Sequence, residues 1–274
     1  MPRLNAVFLT AGLLAGCPAS AISQEPPLCE VGSSVIRLVY LHSTEVGPDG
    51  LVFLHHTGAK TRVEAALVGS SLIFLEECPA SFIPAFEEVA KAAFVPEPEL
   101  RQAWIEAVRS AARDSSNTEV RGLLAVARER VALLGDPSLN EFLDGVFEGP
   151  VDTREVDKHA LESLYERQAL ATLMQYSECD GAGCFNASDN VLFLLGTHPV
   201  AVFRAMRADS AAAAEWLQWV DTGSFWRISE YREIREAARR AVLEKLAETK
   251  APGFEREQRA CENTLREIRF REVS

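Results

Sequence analysis

Two stretches of this chain, 120 residues apart, carry one pattern, and that pattern restricts the fold more than any other feature. With Pro79 set on Pro199, Leu72-Ile73-Phe74-Leu75-Glu76-Glu77-Cys78-Pro79 lies over Leu192-Phe193-Leu194-Leu195-Gly196-Thr197-His198-Pro199. Beyond the prolines, Phe82, Ile83, Ala85 and Phe86 face Val202, Phe203, Ala205 and Met206, so apolar residues recur at the same helical positions. Proline suits the first turn of a helix, where its missing N–H would have no partner anyway. Each stretch therefore predicts helix, one-residue break, helix, with Cys78 and His198 at the caps. The apolar stripe of such a pair must be covered by neighbours. The fold class expected is all-α or mainly α, with helical hairpins packed in a repeat-like array or irregular bundle. Asp136-Pro137 begins another helix with a similar cap, but its apolar residues Leu139, Phe142, Leu143 and Val146 stand in a shifted register.

The two matched segments are similar to armadillo or HEAT-like helical repeats, which implies helix pairs stacked side by side. The resemblance covers about 15 residues in each copy and lacks the regular period of about 40 residues those families show.

Helical periodicity dominates from Pro98 onward. It predicts helices over Leu100–Arg113, Glu119–Leu134, Pro137–Phe147, Glu155–Ser177, Ser188–Gly196, Pro199–Ala208, Ala211–Val220, Ser229–Glu248 and Phe254–Arg269. Asp152 with Glu155 forms a capping-box pair. In the Ser229–Glu248 segment, Tyr231, Ile234, Ala238, Ala241 and Val242 share one face while charged residues fill the others. Ser34 to Val68 is ambiguous. Val35 to Leu41 and Leu51 to Leu54 are β-prone, and Gly47-Pro48-Asp49-Gly50 between them is a turn signal. The expectation favours short buried helices, because an isolated hairpin is marginal and no third strand is evident. A small β-hairpin near residues 35–56 is the alternative.

At the N-terminus, Pro2-Arg3-Leu4-Asn5 gives a short positive start and Ala6 to Leu14 an uncharged apolar run. That run is too short to span a membrane, which takes about 20 apolar residues. Leu14-Ala15-Gly16-Cys17 directly behind it resembles the lipobox of bacterial lipoprotein signal peptides. The resemblance implies diacylglyceration of the Cys17 thiol, cleavage just before it, and usually acylation of the new amine. Two or more acyl chains anchor stably, so no transmembrane helix is needed. Pro18 in place of an aspartate implies, by the enterobacterial rule, the outer membrane rather than the inner one. Ala19-Ser20-Ala21 supports a competing cut by ordinary signal peptidase, releasing a soluble periplasmic or secreted protein. The domain plan is a signal peptide over 1–16, a lipid-anchored tether over 17–30 and a mainly helical domain over 31–274, with a sub-boundary near 149–153.

The formal charge is −12, and loss of Arg3 with the signal makes it −13, which argues against nucleic acid or anionic lipid as a partner surface. Five cysteines remain beyond Cys17: Cys29, Cys78, Cys179, Cys184 and Cys261. An exported chain meets an oxidising compartment where disulfides persist. The flexible Asp180-Gly181-Ala182-Gly183 between Cys179 and Cys184 makes that pair the first disulfide candidate, and Cys29 with Cys78 the second.

Catalytic motifs are lacking. No two histidines among His42, His55, His56, His159 and His198 take a helical metalloprotease spacing, and the cysteine spacing matches no zinc pattern, so neither metal nor cofactor is expected. There is no glycine-x-serine-x-glycine elbow and no phosphate-cradling loop. Trp216, Trp219, Phe225 and Trp226, beside the turn signal Asp221-Thr222-Gly223-Ser224, form the densest aromatic group and the first candidate binding platform. The function expected is a non-enzymatic envelope lipoprotein, membrane-attached through Cys17 and binding a protein partner in the envelope as an interaction, assembly or inhibitor module. The alternatives are an envelope enzyme whose site only the fold assembles, or a small-ligand module built on the tryptophans.

Overall fold

The computed structural model describes residues 27–32, 44–47, 50–53, 60–93, 96–113, 118–146, 156, 158–178, 182–225 and 232–268. Helix accounts for nearly all of them. A short helical segment at 28–32 (α1) is followed by a two-stranded antiparallel hairpin, β1 (Thr44–Gly47) with β2 (Gly50–Phe53). Then come α2 (Lys60–Glu77), α3 (Pro79–Ala93), α4 (Glu97–Arg113), α5 (Thr118–Leu134), α6 (Pro137–Asp144), α7 (Lys158–Glu178), α8 (Ala182–Thr197), α9 (Pro199–Ala208), α10 (Ser210–Phe225), α11 (Arg232–Glu248) and α12 (Glu255–Glu267). Among the described residues no helix is long and apolar enough to cross a membrane.

The all-α array stands as expected. Helix, one-residue break, helix occurs at both matched stretches, α2–Cys78–α3 and α8–His198–α9. Chain direction changes there because Pro79 and Pro199 cannot continue the preceding hydrogen-bond ladder. The last turns close through Cys78 N–H to Phe74 C=O at 2.7 Å and His198 N–H to Leu194 C=O at 2.6 Å. At α6 the side chain of Asp136 accepts from the Ser138 and Leu139 amides, a conventional N-cap ahead of proline.

Three expectations are corrected. Helix α8 begins at Ala182 rather than Ser188, so Ala182 and Gly183, expected in a flexible link between Cys179 and Cys184, are helical. Residues 44–47 and 50–53 pair as strands instead of forming helix, with Gly47 opposite Gly50. Two residues, Pro48 and Asp49, separate that pair, the spacing of the tightest hairpin connections. Local turn chemistry thus outweighs the lack of a third strand. Helix α10 also runs through Asp221-Thr222-Gly223-Ser224 to Phe225 rather than stopping at Val220. Ser224 Oγ donates to Ser188 Oγ at 2.8 Å and Phe225 is buried, so packing on α8 overrides the weak helix propensity of those four residues. The Asp152–Glu155 box and the 149–153 boundary lie outside the described residues.

The core is one apolar cluster drawing residues from Leu28 to Leu265. Phe82 and Phe86 of α3, Trp104 of α4 and Phe142 of α6 pack ring on ring, Phe82 and Phe142 edge-on at 5.2 Å between centroids. Each matched half then repeats a buried polar device. Trp104 Nε1 donates to Ser71 Oγ of α2 at 2.9 Å, and Trp216 Nε1 of α10 donates to Ser188 Oγ of α8 at 3.1 Å. Ser70 of α2 and Asn190 of α8, equivalent at the 120-residue offset, both reach α7: Ser70 Oγ donates to Gln168 at 3.1 Å and Asn190 Nδ2 to Thr172 at 2.9 Å. Helix α7 thereby holds the two halves in one packing unit, and each of these four buried contacts pairs a donor with an acceptor.

Helix α1 is wedged between the halves. A Cβ on Gly32 would lie 2.7 Å from the Phe74 ring of α2 and 2.9 Å from Phe193 of α8. Leu28 and Cys29, expected at the end of the tether, are buried in the core. Cys29 is bonded to Cys78, with 5.5 Å between the Cα atoms, and this staples α1 to the α2–α3 break. Cys179 and the side chain of Cys184 lie outside the described residues.

Candidate functional site

Helix α2 ends on two acids, against the helix dipole, which favours cations at a C-terminus. The cost is met by groups from three other elements. Arg130 of α5 places a guanidinium nitrogen 3.1 Å from Glu76 Oε1 and another 4.0 Å from Glu77 Oε2. Tyr165 of α7 donates its hydroxyl to Glu76 Oε2 at 3.3 Å. His198, in the α8–α9 break, sets Nε2 3.3 Å from Glu77 Oε1. Its ring stacks on Tyr165, with centroids 3.5 Å apart and planes 14° from parallel.

The electrostatics of the two acids diverge. Burial, reinforced by the neighbouring Glu77 charge, pushes the Glu76 carboxyl up from 4.5 to about 7, with Arg130 and Tyr165 pulling the other way. Burial also raises Glu77, but His198, Arg130 and Lys245 more than offset it, and that carboxyl falls below its usual range. Burial and both carboxylates drive the Tyr165 phenol far upward, so it keeps its proton and donates it to Glu76. Glu76 is nearly enclosed, whereas His198, Glu77 and especially Arg130 reach the surface.

The ligand-capable atoms of Glu76, Glu77 and His198 all lie within 4.8 Å of one another. The contact between His198 and Glu77 is close, yet Nε2 is buried and no hydrogen bond is directed along it. His198 sits at the N-cap position of α9 but makes no side-chain cap bond; its ring turns to the acids instead. Pairs of titratable groups with opposed shifts mark candidate functional sites.

The aromatic candidates separate. Trp216 and Phe225 are core residues, while Trp219 is 49% exposed, so the structure does not bring Trp216 and Trp219 to one open platform. Trp226 lies outside the described residues, as do His42, His55 and His56. His159 is exposed on α7, away from the acid pair in sequence. Cys261 is a free, buried cysteine whose Sγ lies 3.6 Å from Met206 Sδ, and burial pushes its thiol up to about 12. Such a thiol is chemically inert at neutral pH.

Comparison with protein-family models, curated proteins and solved structures returned no match. The site stands on its own geometry. The 120-residue correspondence places Glu77-Cys78-Pro79 over Thr197-His198-Pro199, and these two breaks are the ones that meet. Acids in the last turn of a helix, just before a proline, are the sequence signal that marks Glu76 and Glu77.

Proposed function

We propose that this chain is an exported envelope lipoprotein, anchored through Cys17, whose helical array serves as a protein-interaction module in assembly or inhibition. The observation that carries the reading is the Cys29–Cys78 disulfide. Structural disulfides belong to oxidising compartments, and this one follows the Leu14-Ala15-Gly16-Cys17 motif by a short tether. Trp219 and Leu133, exposed on the helical surface, supply the apolar contacts a partner would cover. The outer membrane is the favoured location; a soluble periplasmic or secreted form follows if the Ala19-Ser20-Ala21 cut is used.

The test is intact mass and detergent partitioning of wild type and Cys17→Ala, each expressed with its own signal in a Gram-negative host. Acylation that the substitution abolishes supports the anchor. An unmodified soluble chain beginning near Ile22 overturns it. Crosslinking from position 219 then identifies the surface a partner occupies.

A second reading, an activity assembled by the fold, is favoured by the opposed carboxyls of Glu76 and Glu77 beside His198 and Tyr165.

A further inference from the structure

We propose that Glu76, Glu77 and His198 bind one divalent transition-metal ion of the zinc class, with the Arg130 guanidinium as the cation it displaces. The inference is independent of the anchor and adds to the functional reading a site that only the fold assembles.

Three observations carry it. The first is separation. Two ligands of a tetrahedral ion with bonds of 2.0–2.1 Å stand about 3.3 Å apart. His198 Nε2 and Glu77 Oε1 are 3.3 Å apart, and Glu76 brings a third donor within 4.8 Å of both. Binding requires Glu76 to turn toward the other two and close that last gap. The second is the nitrogen itself. Nε2 of His198 is buried and faces the Glu77 carboxylate at 3.3 Å, in poor alignment for a hydrogen bond, so a nitrogen and an anionic oxygen already stand together away from solvent. An ion between them takes up the Nε2 lone pair, while the ring is already fixed in orientation by stacking on Tyr165.

The third is the positive charge already present. The two carboxylates attract a cation, and the one there now is a long side chain whose own surface is 47% exposed. Arg130 lies at the surface and can swing to solvent, so exchange gives up its contacts to Glu76 and Glu77 and yields three coordinate bonds that keep both buried carboxylates neutralised. An imidazole nitrogen with two carboxylates selects zinc or a neighbouring transition metal over magnesium or calcium, which take all-oxygen shells with more ligands. Three protein ligands leave a fourth position for water, and Glu77 and His198 keep that position toward the surface. Tyr165, bonded to Glu76, orients that ligand from behind.

The experiment uses the purified full chain in detergent, stripped with a chelator and then titrated calorimetrically with Zn2+ alone, and in parallel with Co2+ followed by visible absorption. The expected result is one Zn2+ per chain and a cobalt spectrum typical of nitrogen and oxygen ligands. His198→Gln and Glu77→Gln each weaken binding by at least the about 10–100-fold that even supporting residues of metal sites are worth. Arg130→Met keeps or tightens it. Without any variant, Zn2+ slows modification of His198 by diethylpyrocarbonate, read by peptide mass, so the proposal stays falsifiable if a substitution prevents folding. It is overturned by absence of stoichiometric binding, by binding that survives both ligand substitutions, by thiolate bands in the cobalt spectrum, or by loss of binding in a folded Arg130→Met.

Discussion

Glu76 is held near the protein interior with its affinity for a proton raised, and that has a consequence for stability. An acid whose carboxyl moves from 4.5 unfolded to about 7 folded binds its proton more tightly in the native state. Folding is therefore helped below the unfolded value and opposed as pH rises through the folded one. Glu77, shifted the other way, contributes stability that is lost only on acidification below the usual carboxylate range. Between pH 5 and pH 8 the Glu76 effect has the window to itself among this pair. With chelator present, urea unfolding of wild type should show stability declining across that window relative to Glu76→Gln, by on the order of 3 kcal/mol at most. Parallel curves for the two proteins would remove the case for a protonated Glu76. At this scale little of the site was legible. Glu76 and Glu77 read as part of a repeat, and His198 as a cap, because what makes them a group is contact between α2, α5, α7 and the α8–α9 break. Trp216 and Trp219 look equivalent in sequence for the same reason, and only burial tells them apart.

At the scale of elements, periodicity did most of the work. Helix α9 occupies Pro199–Ala208, the span its apolar spacing and flanking proline predict, and α5 and α11 end where expected. The failures include the hairpin at 44–53 and the extension of α10, which come from turn chemistry and tertiary packing respectively, and the start of α8 at Ala182, six residues before the expected Ser188. Close approach of α1 to α8 is another feature no pattern announces. Gly196 lies in the last turn of α8, and a Cβ there would stand 2.3 Å from Leu28 Cδ1. Gly196→Ala should gain a little helix propensity and lose more through displacement of Leu28, a net destabilisation of about 1–3 kcal/mol. Thermal melts of this variant and of Gly196→Ala with Leu28→Ala distinguish the cause: the second change should recover part of the loss if the clash is responsible.

For the whole molecule, the long-range staple matters most. The Cys29–Cys78 bond closes a loop with a sequence separation of 49. The chain-entropy account gives a stabilisation of about 4 kcal/mol for a loop of that size. Cys29→Ser with Cys78→Ser should therefore lower the urea midpoint markedly, and reductant should bring wild type to the same value; a midpoint unmoved by either would mean the staple constrains nothing. The path of the chain through this bond also decides how the domain answers mechanical load. If Cys17 holds the lipid, any tug between membrane and partner enters through the segment ending at Cys29. It does not peel α1 from its groove one residue at a time, because the covalent bond hands the force to Cys78, at the junction of α2 and α3. The pull is then shared between two helices inside the core, beside Glu77 and His198, so a strained tether bears directly on the site.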